Sequence, residues 1–447
     1  SINGMFFTRG QRADFDDWAA LGNAGWSYAD LLPYFKRSEN SEIGDAKWRG
    51  KDGPVSVSHL RSVHPMSPVF LKAAEECGLP LLDDYNGEAE YGASLAQVSQ
   101  KDGWRWPASR AYLWPVWSRG NLEIVTEALA QRLTFDGKTC TGVVYQAGGR
   151  TVTATARREV IVSAGAIGTP KLLMLSGIGP GAHLQQHGIA VVSDLAGVGA
   201  NLQEHPDVTL SAHVTVDTYN LIALSPVRMA AAVAQWAATG KGPATSPYVQ
   251  AAAFLNPLEP GARPTIEMMF APFAFVAVDQ RAEAHVRGAI NFVIMLCRPS
   301  PRGRVSLRNS DARELPRIEL ELLADRDLPT IIAGCRFARR VIQSQAFKPF
   351  VVDERLPGPD VQSDDEWTAF IRQSTFVGNH LVGTCKMGPA TDPAAVVDPA
   401  DLKVRGVERL RVIDASIMPV VTSAHTNAVA FAIGEKGADL VLGRAAV

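Results

Sequence analysis

The stretch REVIVSAGAIGTPKLLMLSGIG, Arg158 to Gly179, limits the fold more than any other part of the chain. Glu159–Ser163 is rich in Ile and Val and reads as a strand. A turn of small residues follows, Ala164-Gly165-Ala166, and then Thr169 and Pro170 open a helix that Gly177 ends. This is a strand–turn–helix unit of the kind found in dinucleotide folds. The usual phosphate cradle of such folds, a GxGxxG directly after a strand, does not occur in the chain. GIGPG (Gly177–Gly181) follows a helix and reads as a helix stop.

Composition narrows the partners. The chain has 447 residues, 46% hydrophobic and 20% charged, enough apolar material for two cores or one large divided core. A formal charge of -2 with no Lys/Arg block gives no reason to expect a nucleic-acid or anionic-membrane partner. Apolar runs such as AINFVIMLC (Ala289–Cys297) suit buried strands and are too short for a transmembrane segment. The five cysteines are scattered and form no CxxC, which argues for reduced thiols in a cytoplasmic protein and against a zinc site or any other metal site.

The rest of the chain divides by character. PVSVS (54–58) alternates like a strand, and MSPVFLKAAEECG reads as a helix capped by Ser67, with Pro68 in its first turn and Gly78 at its end. Residues 209–320 hold β-like runs broken by Pro and Gly, which predict an antiparallel sheet that accepts a substrate. DRDLPTIIAGCRFARRVIQ predicts a helix with Ile331, Ile332, Cys335, Ala338 and Ile342 on one face. SDDEWTAFIRQ opens with a capping box from Ser363 to Glu366. MMFAPFAFVAV (Met268–Val278) reads as sheet core before it reads as the apolar wall of a substrate pocket.

Two histidines carry the chemistry. His380 lies in FVGNHLVGTCKMG, a Gly-rich loop after a helix; His425 lies in SIMPVVTSAHTNAVAFAIG, two residues before Asn427, which reads as a helix cap. Either one alone reads as a structural histidine. Together, each beside small residues that let a ligand come close, they suit removal of a proton from an alcohol. One serves as base and the other as donor to the developing alkoxide. The helix near Asn427 adds free N–H groups and partial positive charge at its start. Gly434 and Gly437 on that helix predict close backbone packing.

These motifs resemble the glucose–methanol–choline (GMC) flavoprotein oxidoreductases, in their choline-dehydrogenase-like branch. The resemblance runs over nearly the whole chain: SINGMFFTRGQRADFDDWAALGNAGWSYADLLPYFKRSE, GAIGTPKLLMLSGIG, GVGANLQEHP, RPSPRGRVSL, NHLVGTCKMG and LRVIDASIMP follow in family order. It implies an α/β plus α+β fold: an incomplete FAD-binding Rossmann-like domain with a substrate domain built on an antiparallel sheet packed by helices. The implied division is a flavin-contacting and lid segment over 1–53, substrate-domain strand and helices over 54–118, and FAD-binding domain over 119–208. A substrate-binding domain over 209–375 and the rest of the FAD-binding domain over 376–447 complete it. The resemblance also implies a primary alcohol as substrate, FAD as cofactor and oxygen or a quinone as electron acceptor. His380 and His425 become the catalytic pair, with hydride passing to flavin N5.

The cofactor-binding positions implied are Asn3, Gly4, Ala130, Gly165, Ala166, Asp414, Ala415, Asn427 and Ala428. Ile2 stands where some family members bond FAD covalently through a histidine, so the FAD expected here is non-covalent. Leu381, Glu204 and Val429 stand where Pro, Asp and Pro are common in the family. The family's N-terminal βαβ cradle is expected to be missing upstream of Ser1. Two alternatives share these residues: a hydroxynitrile-lyase-type enzyme on the same scaffold, and a flavin-free, non-catalytic fragment. Peripheral membrane association is the alternative to a purely cytoplasmic location.

Overall fold

The computed structural model describes residues 3–278 and 281–444. Its centre is a seven-stranded antiparallel sheet. The strands run in the order Val351–Leu356, Pro206–Val214, Ala289–Leu296, Ile266–Ala271, Ala251–Leu255 and Gly92–Leu95, and Phe376–Val377 also pairs with Pro206–Val214. This is the antiparallel sheet expected from the middle of the sequence.

Period-two alternation decides what the sheet presents on each face. Val208, Leu210, Ile266, Met268, Phe270, Ile290, Phe292 and Ile294 form one side of a buried core. Helices Met66–Glu76, Leu328–Ile342 and Asp364–Ser374 cover that side, contributing Phe70, Ile331, Cys335, Ala338, Trp367 and Ile371. The opposite parity carries Met269, Val293 and Met295 into a smaller cluster with Met5 and Phe6. It also carries polar residues, among them Asp207, Glu267 and Asn291. The register Asp207↔Met295↔Glu267 sets the two carboxylates in one row across this face.

A second core forms around the strand–turn–helix unit. Val160–Val162 pairs in parallel with Leu410–Val412, so the two sequence-distant motifs lie side by side. The helix begins at Gly165 and runs to Leu175, earlier than Thr169-Pro170 suggested. Pro170 therefore sits inside the helix, where it cannot donate to the carbonyl of Ala166. The Thr384 hydroxyl donates to that carbonyl instead, at 2.6 Å. GTCKMG is thereby pinned onto this helix.

Other differences are small. The helix at Met66 is capped by Pro65, and Ser67 lies within it, its hydroxyl donating to Gln250 Oε1. The last helix runs Asn427–Leu442 with Thr426 as its cap, one residue before the expected Asn427. The capping box at Ser363 and Glu366 forms as predicted.

Only one of the two glycines on the last helix makes a close approach. A Cβ at Gly437 would stand 2.5 Å from Ile413 Cγ2, whereas one at Gly434 would meet nothing within 4 Å. Gly437→Ala should therefore destabilise the protein by about 1–3 kcal/mol through overpacking. Gly434→Ala should stabilise by up to about 1 kcal/mol through helix propensity. Urea unfolding of the pair checks both signs.

Candidate active site

A cavity of about 780 Å³ opens between the polar face of the sheet and the loops of the second core. Gly4, Gly165, Ala166, Ala415 and Ala430 keep one wall shallow, while Phe6, Tyr248, Met269, Phe275 and Val293 form an apolar wall opposite. MMFAPFAFVAV thus serves as both sheet core and pocket wall, with Met269 and Phe275 at the cavity. Among the described residues no lysine or arginine lines it.

His380 and His425 meet here although 45 residues separate them. His380 Nε2 lies 3.2 Å from His425 Nδ1. His380 follows Asn379, whose φ of 65° turns the chain into the site. Its backbone N–H donates to Glu204 Oε1 at 2.7 Å, and the N–H of His205 donates to the same oxygen at 2.8 Å. One buried carboxylate therefore fixes both histidine backbones. The ring of His380 also lies against that of His205, with their Nδ1 atoms 3.0 Å apart. His425 packs on Phe6, ring centroids 4.9 Å apart. Its Nε2 is 3.4 Å from Glu267 Oε1, close enough for an ion pair but without hydrogen-bond alignment.

Burial sets the protonation. His380 is held well below the usual histidine range, first by burial and then by the His425 and His205 rings. It is neutral at neutral pH, as a base must be. Burial likewise pushes Asp207 well above the carboxylate range, with Glu267 and Glu204 adding repulsion. Burial raises Glu204 from 4.5 to about 7 despite the backbone N–H groups that favour its anion. The folded state therefore binds more protons at Glu204 than the unfolded chain between pH 4.5 and about 7. Its contribution to stability falls as pH rises through that window. Glu204→Gln should flatten this part of the stability–pH curve, checked by urea unfolding at pH steps across it.

Glu204, His205 and His380 place potential ligand atoms within 4.8 Å of one another, the one such grouping among the described residues. Most of its ligand atoms are engaged: Glu204 Oε1 accepts two N–H groups, His205 Nε2 faces the Cys297 carbonyl at 3.1 Å, and the two histidine Nδ1 atoms face each other, while Glu204 Oε2 has no partner. The grouping reads as a hydrogen-bonded cluster.

Of the residues singled out from sequence, Asn3, Gly4, Gly165, Ala166, Ala415, Asn427, His380 and His425 line the cavity. Ala130, Asp414 and Ala428 do not. Ala130 lies exposed on the strand Ala128–Asp136, and Ala428 is buried in the last helix. Asp414 supports the wall from behind, accepting the Gly165 N–H at 2.9 Å and the Thr169 hydroxyl at 2.5 Å. Ile2 lies outside the described residues. Sequence reasoning missed Asp207, Glu267 and His205. The first two follow only from strand parity, and His205 was visible as the histidine of GVGANLQEHP.

Comparison with known proteins decides the family. Two family models described as GMC oxidoreductase match residues 1–207 and 299–434. The chain belongs to the GMC oxidoreductase family. A relative named oxygen-dependent choline dehydrogenase, from Brucella ovis, is 40% identical over 445 residues, 99% of this chain and 80% of that protein. Among solved structures, an Aspergillus oryzae formate oxidase variant matches with TM-score 0.88 and 28% identity, over 99% of this chain and 82% of that one. A Chaetomium thermophilum FAD-dependent oxidoreductase matches with TM-score 0.88 and 27% identity, over 99% and 85%. The N-terminal GMC model matches residues 1–207, which gives no support to the expectation that the family's N-terminal dinucleotide-binding segment is missing.

The cavity fits the ring end of a flavin. Gly165 has φ +77° and open space where a Cβ would point, and Gly4 has open space too, so a flat ring can lie close to both backbones. The start of the Asn427–Leu442 helix forms part of the same wall. Its unpaired N–H groups suit the polar pyrimidine edge.

Proposed function

We propose that this GMC oxidoreductase oxidises a primary alcohol to the aldehyde with His380 as general base and His425 as the donor that holds the alcohol oxygen. The cofactor is FAD; bound in the cavity, it supplies the acceptor for the hydride lost from the alcohol carbon. The observation that carries the reading is the meeting of two imidazoles, 3.2 Å apart, at a cavity with one shallow and one apolar wall. An alcohol oxygen on the cavity side, facing both nitrogens, would accept a hydrogen bond from His425 and lose its proton to His380. The apolar wall from Phe6 to Val293 excludes water from the carbon end. We further propose that Asn3, Gly4, Gly165, Ala166, Ala415 and Asn427 contact the flavin, with Asp414 and Ala428 in support and Ala130 toward the adenine end.

Ile2 offers no nucleophile, which supports non-covalent FAD. All five cysteines are free, which favours a reducing, cytoplasmic setting. Among the described residues no helix is long and apolar enough to cross a membrane. The electron acceptor is oxygen or a quinone. The relatives' name, choline dehydrogenase, and one cavity residue bear on the substrate. Asp207 is buried at the wall with Oδ1 lacking a partner; burial keeps its carboxyl neutral, and a cationic group placed beside it would favour its ionisation. Choline and uncharged primary alcohols, compared for aldehyde production with oxygen, a quinone or a dye as acceptor, test the reading. Aldehyde formed with consumption of acceptor supports it. Cleavage of a cyanohydrin with no acceptor consumed points to the lyase alternative.

A further inference from the structure

We infer that His205 is a positioning residue that fixes the tautomer of His380, so that the basic nitrogen of His380 faces the cavity; this rests on the reading of His380 as the base. His205 Nε2 is 3.1 Å from the Cys297 oxygen. A carbonyl only accepts, so the proton of His205 is on Nε2. His205 is fully buried, and burial pushes its pKa down to about 3, so the ring is neutral and its Nδ1 keeps a lone pair. That lone pair faces His380 Nδ1 at 3.0 Å. Two bare nitrogens at this distance repel, and two N–H groups clash; the pair is satisfied only when His380 Nδ1 carries the proton. His380 Nε2 is then bare, and it is the atom directed at His425 Nδ1. His425 in turn donates from Nδ1 while no alcohol is present.

The series runs one way: Cys297 carbonyl, His205, His380, His425. Every link is at hydrogen-bond distance, and the first is set by a group that cannot change its role. The strand Ala289–Leu296 leads directly into Cys297, and Pro206–Val214 follows His205 directly, antiparallel to it. The sheet therefore holds the anchor. With the other tautomer, His380 would present an N–H to the alcohol and could not remove its proton. Without His205 both tautomers would be populated, and only one would react. The device resembles the third group of a catalytic triad in logic, with the lone pair of a neutral imidazole, itself anchored by a backbone carbonyl, in place of a carboxylate.

His205→Phe keeps a ring but removes the acceptor; His205→Gln can restore it with its amide oxygen. The expected result is a kcat loss of at least about tenfold in H205F with KM little changed, and a kcat within about threefold of wild type in H205Q. A second readout does not need turnover. NMR of the histidine ring nitrogens in the purified, isotope-labelled chain should show His380 protonated at Nδ1 and bare at Nε2, assigned by loss of signal in His380→Ala. Equal impairment of H205F and H205Q would overturn the inference, since a packing role alone predicts it. So would full activity in H205F, or a His380 proton found on Nε2 in the wild type. Should H205F fail to fold, the wild-type spectrum decides. A correct tautomer in a chain that oxidises no alcohol would leave the positioning intact and reject the proposed reaction.

Discussion

His380→Ala should slow alcohol-dependent flavin reduction by about 10²–10⁴-fold, the usual contribution of a positioned general base. The residue is buried, neutral and aimed into the cavity, with its backbone fixed by Glu204 and its ring between His205 and His425. Loss of the imidazole leaves the alcohol proton without an acceptor in the transition state. The ground-state contacts to the apolar wall remain, so KM should change little and the loss should fall on kcat. His425→Ala should cost less, because it removes a hydrogen bond to the oxygen while the base stays. Rapid mixing of each variant with alcohol, followed at the flavin absorbance, separates the two. A His380→Ala enzyme as fast as wild type would remove this histidine from the mechanism.

The second large effect concerns stability. Arg49 has no exposed side-chain surface, and it holds Glu39 through Nε at 2.8 Å and Asp84 through Nη1 at 2.6 Å. The same Nη1 donates to Gln97 at 2.7 Å. Arg9, also buried, reaches Glu39 at 2.6 Å, so one carboxylate balances two guanidinium groups. Asp84 in turn orders Asn86 and Gln97, which hold the chain at Phe7 and Arg9, next to the cavity residue Phe6. Arg49→Met preserves much of the volume but leaves two buried carboxylates with one cation between them. Breaking a buried pair from one side costs about 3–5 kcal/mol, and that is the destabilisation expected in urea unfolding. A loss below about 0.5 kcal/mol would mean that the network contributes nothing net. The same variant should loosen Phe6 and with it the ring contact to His425.

Local patterns were legible where local physics decides. The Ser363 box, the buried face of Leu328–Ile342 and the buried strands from Ile266 to Leu296 all follow from spacing and burial of apolar residues. The start of the Gly165 helix was not, because Pro170 normally marks a first turn. Its missing N–H is compensated from outside the helix by Thr384, 214 residues on in sequence from Pro170. Gly434 and Gly437 look alike in sequence, and only the position of Ile413 tells them apart. At the site, the two histidines stood out through their small-residue loops. Asp207 and Glu267 did not, because each sits in a strand that otherwise reads as core, and their shared row depends on the register through Met295. Ala130 was assigned by resemblance alone, and the cavity does not reach it.

The central claim is that the two histidines serve an alcohol oxidation at bound FAD. Anaerobic mixing of the FAD-loaded protein with a panel of primary alcohols tests it most directly. The expected result is bleaching of the oxidised flavin band by at least one alcohol, with one aldehyde formed per flavin reduced. A flavin that stays oxidised with every alcohol, in a protein that binds FAD stoichiometrically, would contradict it.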